Sequence, residues 1–119
     1  MTASKAKNTG SRGEVLAAEY LEEKGYEIRE RNFYGPGGEI DIICRDRDVL
    51  VFVEVKSRKS RSFGDPLEWV DARKQERIGE TANEYMSLQE NDLDCRFDIV
   101  TVDLSCMQIE HFENAFWLE

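Results

Sequence analysis

The stretch from Gly38 to Lys56 constrains this chain more than any other. It reads as two apolar β-strands joined by a tight charged turn, Arg45-Asp46-Arg47-Asp48. Three ionisable residues interrupt runs that otherwise have the composition of buried strand: Asp41 in the first, Glu54 and Lys56 in the second. Burying a carboxylate costs several kcal/mol unless it is paired, hydrogen-bonded or bound to a metal. A strand that carries Glu54 directly after Val49-Leu50-Val51-Phe52-Val53 therefore needs a use for it.

Register sharpens the point. Side chains alternate along a strand, so Glu54 and Lys56 share a face with Leu50 and Phe52, opposite Val49, Val51, Val53 and Val55. Asp41 lies with Glu39 and Ile43, opposite Ile40, Ile42 and Cys44. Strands paired through the turn lie about 4.8 Å apart, which lets Asp41 and Glu54 converge on one side. Two carboxylates that close repel unless a cation sits between them, and Lys56 alone compensates only in part. Oxygen donors of this kind suit a hard divalent ion such as Mg²⁺, which keeps several of its waters. Spacing alone leaves a second reading open, a solvated face with cross-strand ion pairs.

Further motifs weigh on that choice. Arg12-Gly13-Glu14, Gly38-Glu39-Ile40-Asp41, Phe52-Val53-Glu54-Val55-Lys56-Ser57-Arg58 and Arg96-Phe97-Asp98-Ile99-Val100 occur in that order. Together they resemble the Asp…Glu-x-Lys core of the PD-(D/E)XK nuclease superfamily, and more closely the small bacterial YraN-like family, which is similar to archaeal Holliday-junction resolvases. The resemblance runs from about Gly10 to Val102, most of the chain. It implies an α/β fold, a restriction-endonuclease-like αβββαβ core with a mixed central sheet flanked by helices. It also implies a Mg²⁺-dependent endonuclease, with Mn²⁺ able to substitute, acting on DNA and in particular on branched or structured DNA.

In that mechanism Asp41, Glu54 and the backbone carbonyl of Val55 hold the metal, and Lys56 orients or activates water. The resolvase-like branch gives a helical glutamate near Glu14 a supporting part in the metal site. Glu39 supports the ligands from Asp41's face. Arg58 neutralises phosphate, with Lys59 and Arg61 as weaker positioning contacts. Symmetric cutting of two strands needs two sites, so a homodimer is the assembly that such an activity calls for.

The elements follow in order. Residues 1 to 9 are polar and patternless, an expected disordered tail ahead of one domain over 10–119. A helix is expected from Ser11 to Lys24, closed by Gly25 as a left-handed cap. Ser11 and Glu14 match a capping box, while Glu14 also shares a stripe with Ala17, Ala18 and Leu21. Capping and metal support are both open for it. Tyr26 to Phe33 alternates as a strand, with Tyr26, Ile28, Glu30 and Asn32 on one face, and Tyr34 to Gly38 is a loop by composition.

After the hairpin, Lys56-Ser57-Arg58-Lys59-Ser60-Arg61 is a basic loop, either a phosphate contact or a solvated turn. The second helix starts at Asp65-Pro66 or at Asp71 and runs to Leu88. Lys74 ends its stripe of Ile78, Ala82 and Tyr85, either reaching an anionic ligand or lying along the surface. Strands are expected over Cys95–Leu104 and Gln108–Phe112, with Phe116-Trp117-Leu118 packing on the core or on a partner.

Net charge opposes the nuclease reading. Sixteen Lys and Arg against 25 Asp and Glu leave −9, whereas DNA-binding domains are usually basic. Binding would need a local patch, and a nuclease fold retained as a silent binding module stands as the alternative. Retention of Asp41, Glu54 and Lys56 argues against that alternative, since a module has no need of so costly a trio.

The three cysteines, Cys44, Cys95 and Cys106, have no paired spacing, and Cys44 reads as a small buried hydrophobe. His111, the single histidine, lacks zinc-ligand neighbours and is expected on a surface strand. No Walker, Rossmann or G-x-S-x-G motif occurs. With no run near the roughly 18 apolar residues of a membrane span and no apolar leader, a cytoplasmic location without membrane contact is expected.

Overall fold

The computed structural model describes residues 8–58, 70–89 and 93–116, with side chains from Arg12 onward. The elements are α1 (Asn8–Glu23), β1 (Glu27–Gly35), β2 (Gly38–Asp46), β3 (Val49–Arg58), α2 (Ala72–Ser87), β4 (Asp94–Asp103) and β5 (Gln108–Phe112). They form one five-stranded mixed sheet in the order β1-β2-β3-β4-β5, the α/β architecture expected. The β3–β4 pair is parallel and the other three pairs are antiparallel. Parallel neighbours need a long crossover, and α2 lies within it. Among the described residues no helix is long and apolar enough to cross a membrane.

Each helix covers one face. Ala17, Ala18 and Leu21 of α1 pack on Ile42, Cys44, Val51, Val53, Val100 and Val102. Ile78, Ala82 and Tyr85 of α2 pack on Ile40, Ile43, Leu50, Phe52, Phe97 and Ile99. Hence β3, apolar from Leu50 to Val53, is buried on both sides. Phe116 extends the α2-side core by stacking on Phe97, their ring centroids 5.1 Å apart.

Local chemistry sets the ends. The α1 terminus is a Schellman motif: Gly25 (φ 98°) donates to Glu22 O at 2.9 Å and Tyr26 to Leu21 O at 3.0 Å. The helix opens at Asn8, earlier than Ser11, so Ser11 is an internal helical residue and not the N-cap. Residues 1–7 of the expected tail lie outside the described residues, as do the alternative cap pair Asp65-Pro66 and the terminal Trp117 and Leu118. Asp71 caps α2, accepting from Lys74 N at 2.9 Å. Arg47 (φ 59°) turns the β2–β3 hairpin.

Strict alternation fails in two strands. A bulge between Ile28 and Glu30 breaks the expected single face of β1. Farther along, Phe33 and its partner Ile40 face α2, whereas Ile42, the partner of Arg31, faces α1. Both strands therefore change face across one level, which Asn32 and Asp41 occupy. Asn32 takes a left-handed conformation (φ 55°), which asparagine tolerates better than most residues.

His111 is not on the surface. Its side chain is 2 % exposed, roofed by Lys24 and edge-on to Tyr20 and Tyr26. Lys24 Nζ donates to Nδ1 at 2.8 Å, which leaves Nε2 to donate to Asp98 at 2.7 Å. Asp98, fully buried, also accepts from Arg96 Nε and Nη2, each at 3.0 Å, and from the Asn114 N–H at 2.9 Å. Burial alone would push its carboxyl up, but these hydrogen bonds outweigh burial and hold it below the usual carboxylate range.

The β1–β2 turn docks on α2 through Thr81, which accepts from Gly37 N and donates to Gly38 O, both at 3.0 Å. A Cβ at Gly37 would lie 1.9 Å from the Arg77 carbonyl oxygen, so no other residue fits without moving the helix. At Gly25 a Cβ meets nothing within 4 Å, and only the positive φ resists it. Gly37→Ala should therefore lower stability by about 3 kcal/mol and Gly25→Ala by about 1 kcal/mol. Urea unfolding of the two variants checks that order.

Candidate functional site

The change of face at Asp41 creates a recess. The β2–β3 pairing stops at Ile42↔Val53. Beyond it the Asp41 carboxylate accepts the Val55 N–H, at 2.8 Å. Asp41 thus stands at the mouth of the gap between the two strands, half-buried and tied to the main chain of the Glu54-Val55-Lys56 segment.

Two more carboxylates converge on it. Glu14 arrives from α1, where Gly13 lets the helix run close to β3; a Cβ there would lie 2.5 Å from Ser57 Cβ. Glu39 arrives from the start of β2. One oxygen from each of Glu14, Glu39 and Asp41 lies within 4.8 Å of the others. The Asn32 amide links the two outer acids, donating to Glu14 at 3.0 Å and to Glu39 at 2.5 Å. It gives nothing to Asp41 in return for that crowding.

Electrostatics register the crowding. Burial first, then the charge of Glu54, push the Asp41 carboxyl up to about 8. Glu14 and Glu39 add to the rise, and the Val55 N–H opposes it. Glu54 itself is 8 % exposed and is answered from the other side of the sheet. Lys74 Nζ lies 2.5 Å from its Oε2, and Lys56 Nζ stands 4.0 Å from the same oxygen. Burial, then the neighbouring Lys74 ammonium, lower the Lys56 pKa against the pull of Glu54 and Asp41. Burial also works against the Lys74 ammonium, but its hydrogen bond to Glu54 outweighs that and raises it.

The donor set fits a hard divalent cation. Three carboxylates within 4.8 Å supply oxygen alone, and Asp41, the half-buried one pressed by the others, favours its neutral form in the absence of a positive partner. The grouping differs in detail from the sequence expectation of Asp41 with Glu54. Glu39 joins the cluster directly, and Glu54 is drawn toward Lys74 beside it. Val55 enters through its N–H. Arg58 lies exposed at the end of β3, and Lys59 and Arg61 lie outside the described residues.

Sequence reasoning passed over Asn32, whose one signal was a poor strand former inside a strand. It also passed over Arg73 and Arg77. Spaced i,i+4 on exposed α2, they line an open groove of about 490 Å³ together with Lys74, Glu39 and the Gly37–Gly38 backbone. The groove meets the acidic cluster at Glu39 and runs along the start of α2, where Asp71 also lines it.

Comparison with known proteins gives a consistent family match. The model of a family described as "Uncharacterised protein family UPF0102" matches residues 13–102, which span every site residue named above. A UPF0102 protein of Geobacter metallireducens is 46 % identical over 115 residues, covering 94 % of each chain. One of Chlorobium chlorochromatii is 42 % identical over 118 residues and 92 % of each chain. Another, of Acetivibrio thermocellus, is 46 % identical over 116 residues, 90 % of this chain and 89 % of its own.

The raised Asp41 has a consequence for stability. A carboxyl of ordinary pKa near 3.8 when unfolded and about 8 when folded penalises the fold increasingly as pH rises between those values. In chelator, Asp41→Asn should match the parent protein near pH 4 and become the more stable of the two as pH approaches 8. Thermal melts across that range check the sign, and an Asp41→Asn that is destabilised throughout would refute the crowding.

Proposed function

The chain belongs to UPF0102, the YraN-like family, and from the site its fold assembles we propose that it is a divalent-metal-dependent nuclease. Its substrate is DNA, with branched or otherwise structured forms as the class that the resolvase likeness brings in. One observation carries the reading: a half-buried carboxyl crowded by acids from α1 and β2, with Lys56 and Glu54 alongside and an open groove leading up to them.

Asp41, Glu39 and Glu14 would hold the cation, Mg²⁺ or Mn²⁺, with Glu54 at its edge. Bound there, such an ion supplies Lewis acidity to a phosphate oxygen and lowers the pKa of water. The protein's own groups do the remainder. Lys56 presents an ammonium that burial and Lys74 make a stronger acid than a free lysine, suited to orienting water and to stabilising charge developing on the phosphate oxygens. The Val55 N–H fixes the Asp41 carboxylate in one orientation. Arg58 faces solvent beyond Lys56, where a neighbouring phosphate of the strand can be neutralised.

A net charge of −9 favours a second reading, a module that binds without turnover. One comparison separates the two. Purified protein should nick plasmid and a four-way junction in Mg²⁺, and Lys56→Ala should lose at least about 10²-fold in rate with little change in stability. Mg²⁺ should also raise the melting temperature of the parent and not of Asp41→Asn. Cleavage undiminished in Lys56→Ala would remove that residue from the mechanism. No magnesium-linked stabilisation, with DNA retained by Asp41→Asn, would leave the module.

A further inference from the structure

Lys74 grips the carboxylate nearest the acidic cluster. Its Nζ lies 2.5 Å from Glu54 Oε2, whereas Lys56 stands 4.0 Å away. At 8 % exposure Glu54 needs a positive partner inside the fold, and the closer ammonium supplies it. Yet the Lys74 side chain is 39 % exposed and lines the open groove beside Arg73 and Arg77. Two destinations are therefore within reach of one flexible side chain: Glu54, or the groove.

We propose that Lys74 is the resident counter-ion of Glu54 and exchanges with the divalent cation. When the cation draws on the Glu54 carboxylate, the Lys74 ammonium moves into the groove and joins Arg73 and Arg77 on a backbone phosphate of the nucleic acid. The exchange rests on the nuclease reading above. Its physical basis is that an ammonium and a divalent cation repel strongly when both lie against one carboxylate in a partly buried site. The ammonium therefore opposes cation entry while it stays. Once displaced, it adds a third positive charge to a groove on an otherwise acidic chain. Cation and nucleic acid then strengthen each other's binding by one common factor.

Titration calorimetry of Mg²⁺ into DNA-free protein tests this. Lys74→Met should bind Mg²⁺ more tightly than the parent, by about fivefold or more, because the internal competitor is gone. The same variant should lose the Mg²⁺-dependent tightening on a short duplex oligonucleotide. In a Glu54→Gln background, Lys74→Met should leave Mg²⁺ affinity unchanged. Lys74→Gln, which keeps a donor for Glu54, serves in place of Lys74→Met if that variant melts early. Mg²⁺ bound no more tightly without the Lys74 charge overturns the exchange while leaving the metal site intact, provided Asp41→Asn abolishes binding. Absence of Mg²⁺ binding in the parent and in Lys74→Met alike overturns the nuclease reading, and the exchange with it.

Discussion

The parallel pairing of β3 with β4, in register from Val49↔Asp94 to Arg58↔Asp103, governs the rest of this structure. Parallel neighbours cannot be joined by a tight turn, so the connection carries α2 across one face while α1 closes the other. A strand covered on both sides has no solvated face on which to keep a charge. Charged residues in β3 are confined toward its C-terminal end, where Glu54, still buried, is paired by Lys74 and the cover thins from Val55 onward, at the level of Lys56. Open α/β sheets commonly bind ligands beyond the carboxyl ends of their strands, for this reason.

Two carboxylates show how differently one fold can treat burial. Asp98 is fully buried but receives Arg96, His111 and a backbone N–H, and its carboxyl is held low. Asp41 is less buried and receives one N–H while three other acids press on it, and its carboxyl is driven up. The first arrangement ties β4 to β5 and to the end of α1. The second works against stability and would be relieved by a cation held between the acids, which is the ground of the proposed metal site.

The distribution of positive charge is consistent with that division. Lys56, Lys74, Arg73 and Arg77 gather at the recess and its groove, although acids exceed bases by nine across the chain. Arg96 and Lys24 serve the structural network at the other end of the sheet. An acidic total therefore says little about the local field that a phosphate would meet.

The sequence by itself determined the element order, the α/β class, the Gly25 cap and the adjacency of Asp41 to the Glu54-Val55-Lys56 segment, and it named Asp71 as one of two caps for α2. All of these follow from local rules: periodicity, capping chemistry, and a hairpin that pairs residues a short loop apart. Tertiary structure alone decided that Glu39 joins Glu14 and Asp41, that Asn32 links them, that Lys74 takes Glu54, and that His111 lies under Lys24. Those contacts join residues far apart in the chain, or depend on the break in alternation at Asn32 and Asp41. A period-two rule carries no information about where a strand will change face; the packing of two helices on opposite sides of one sheet sets that place.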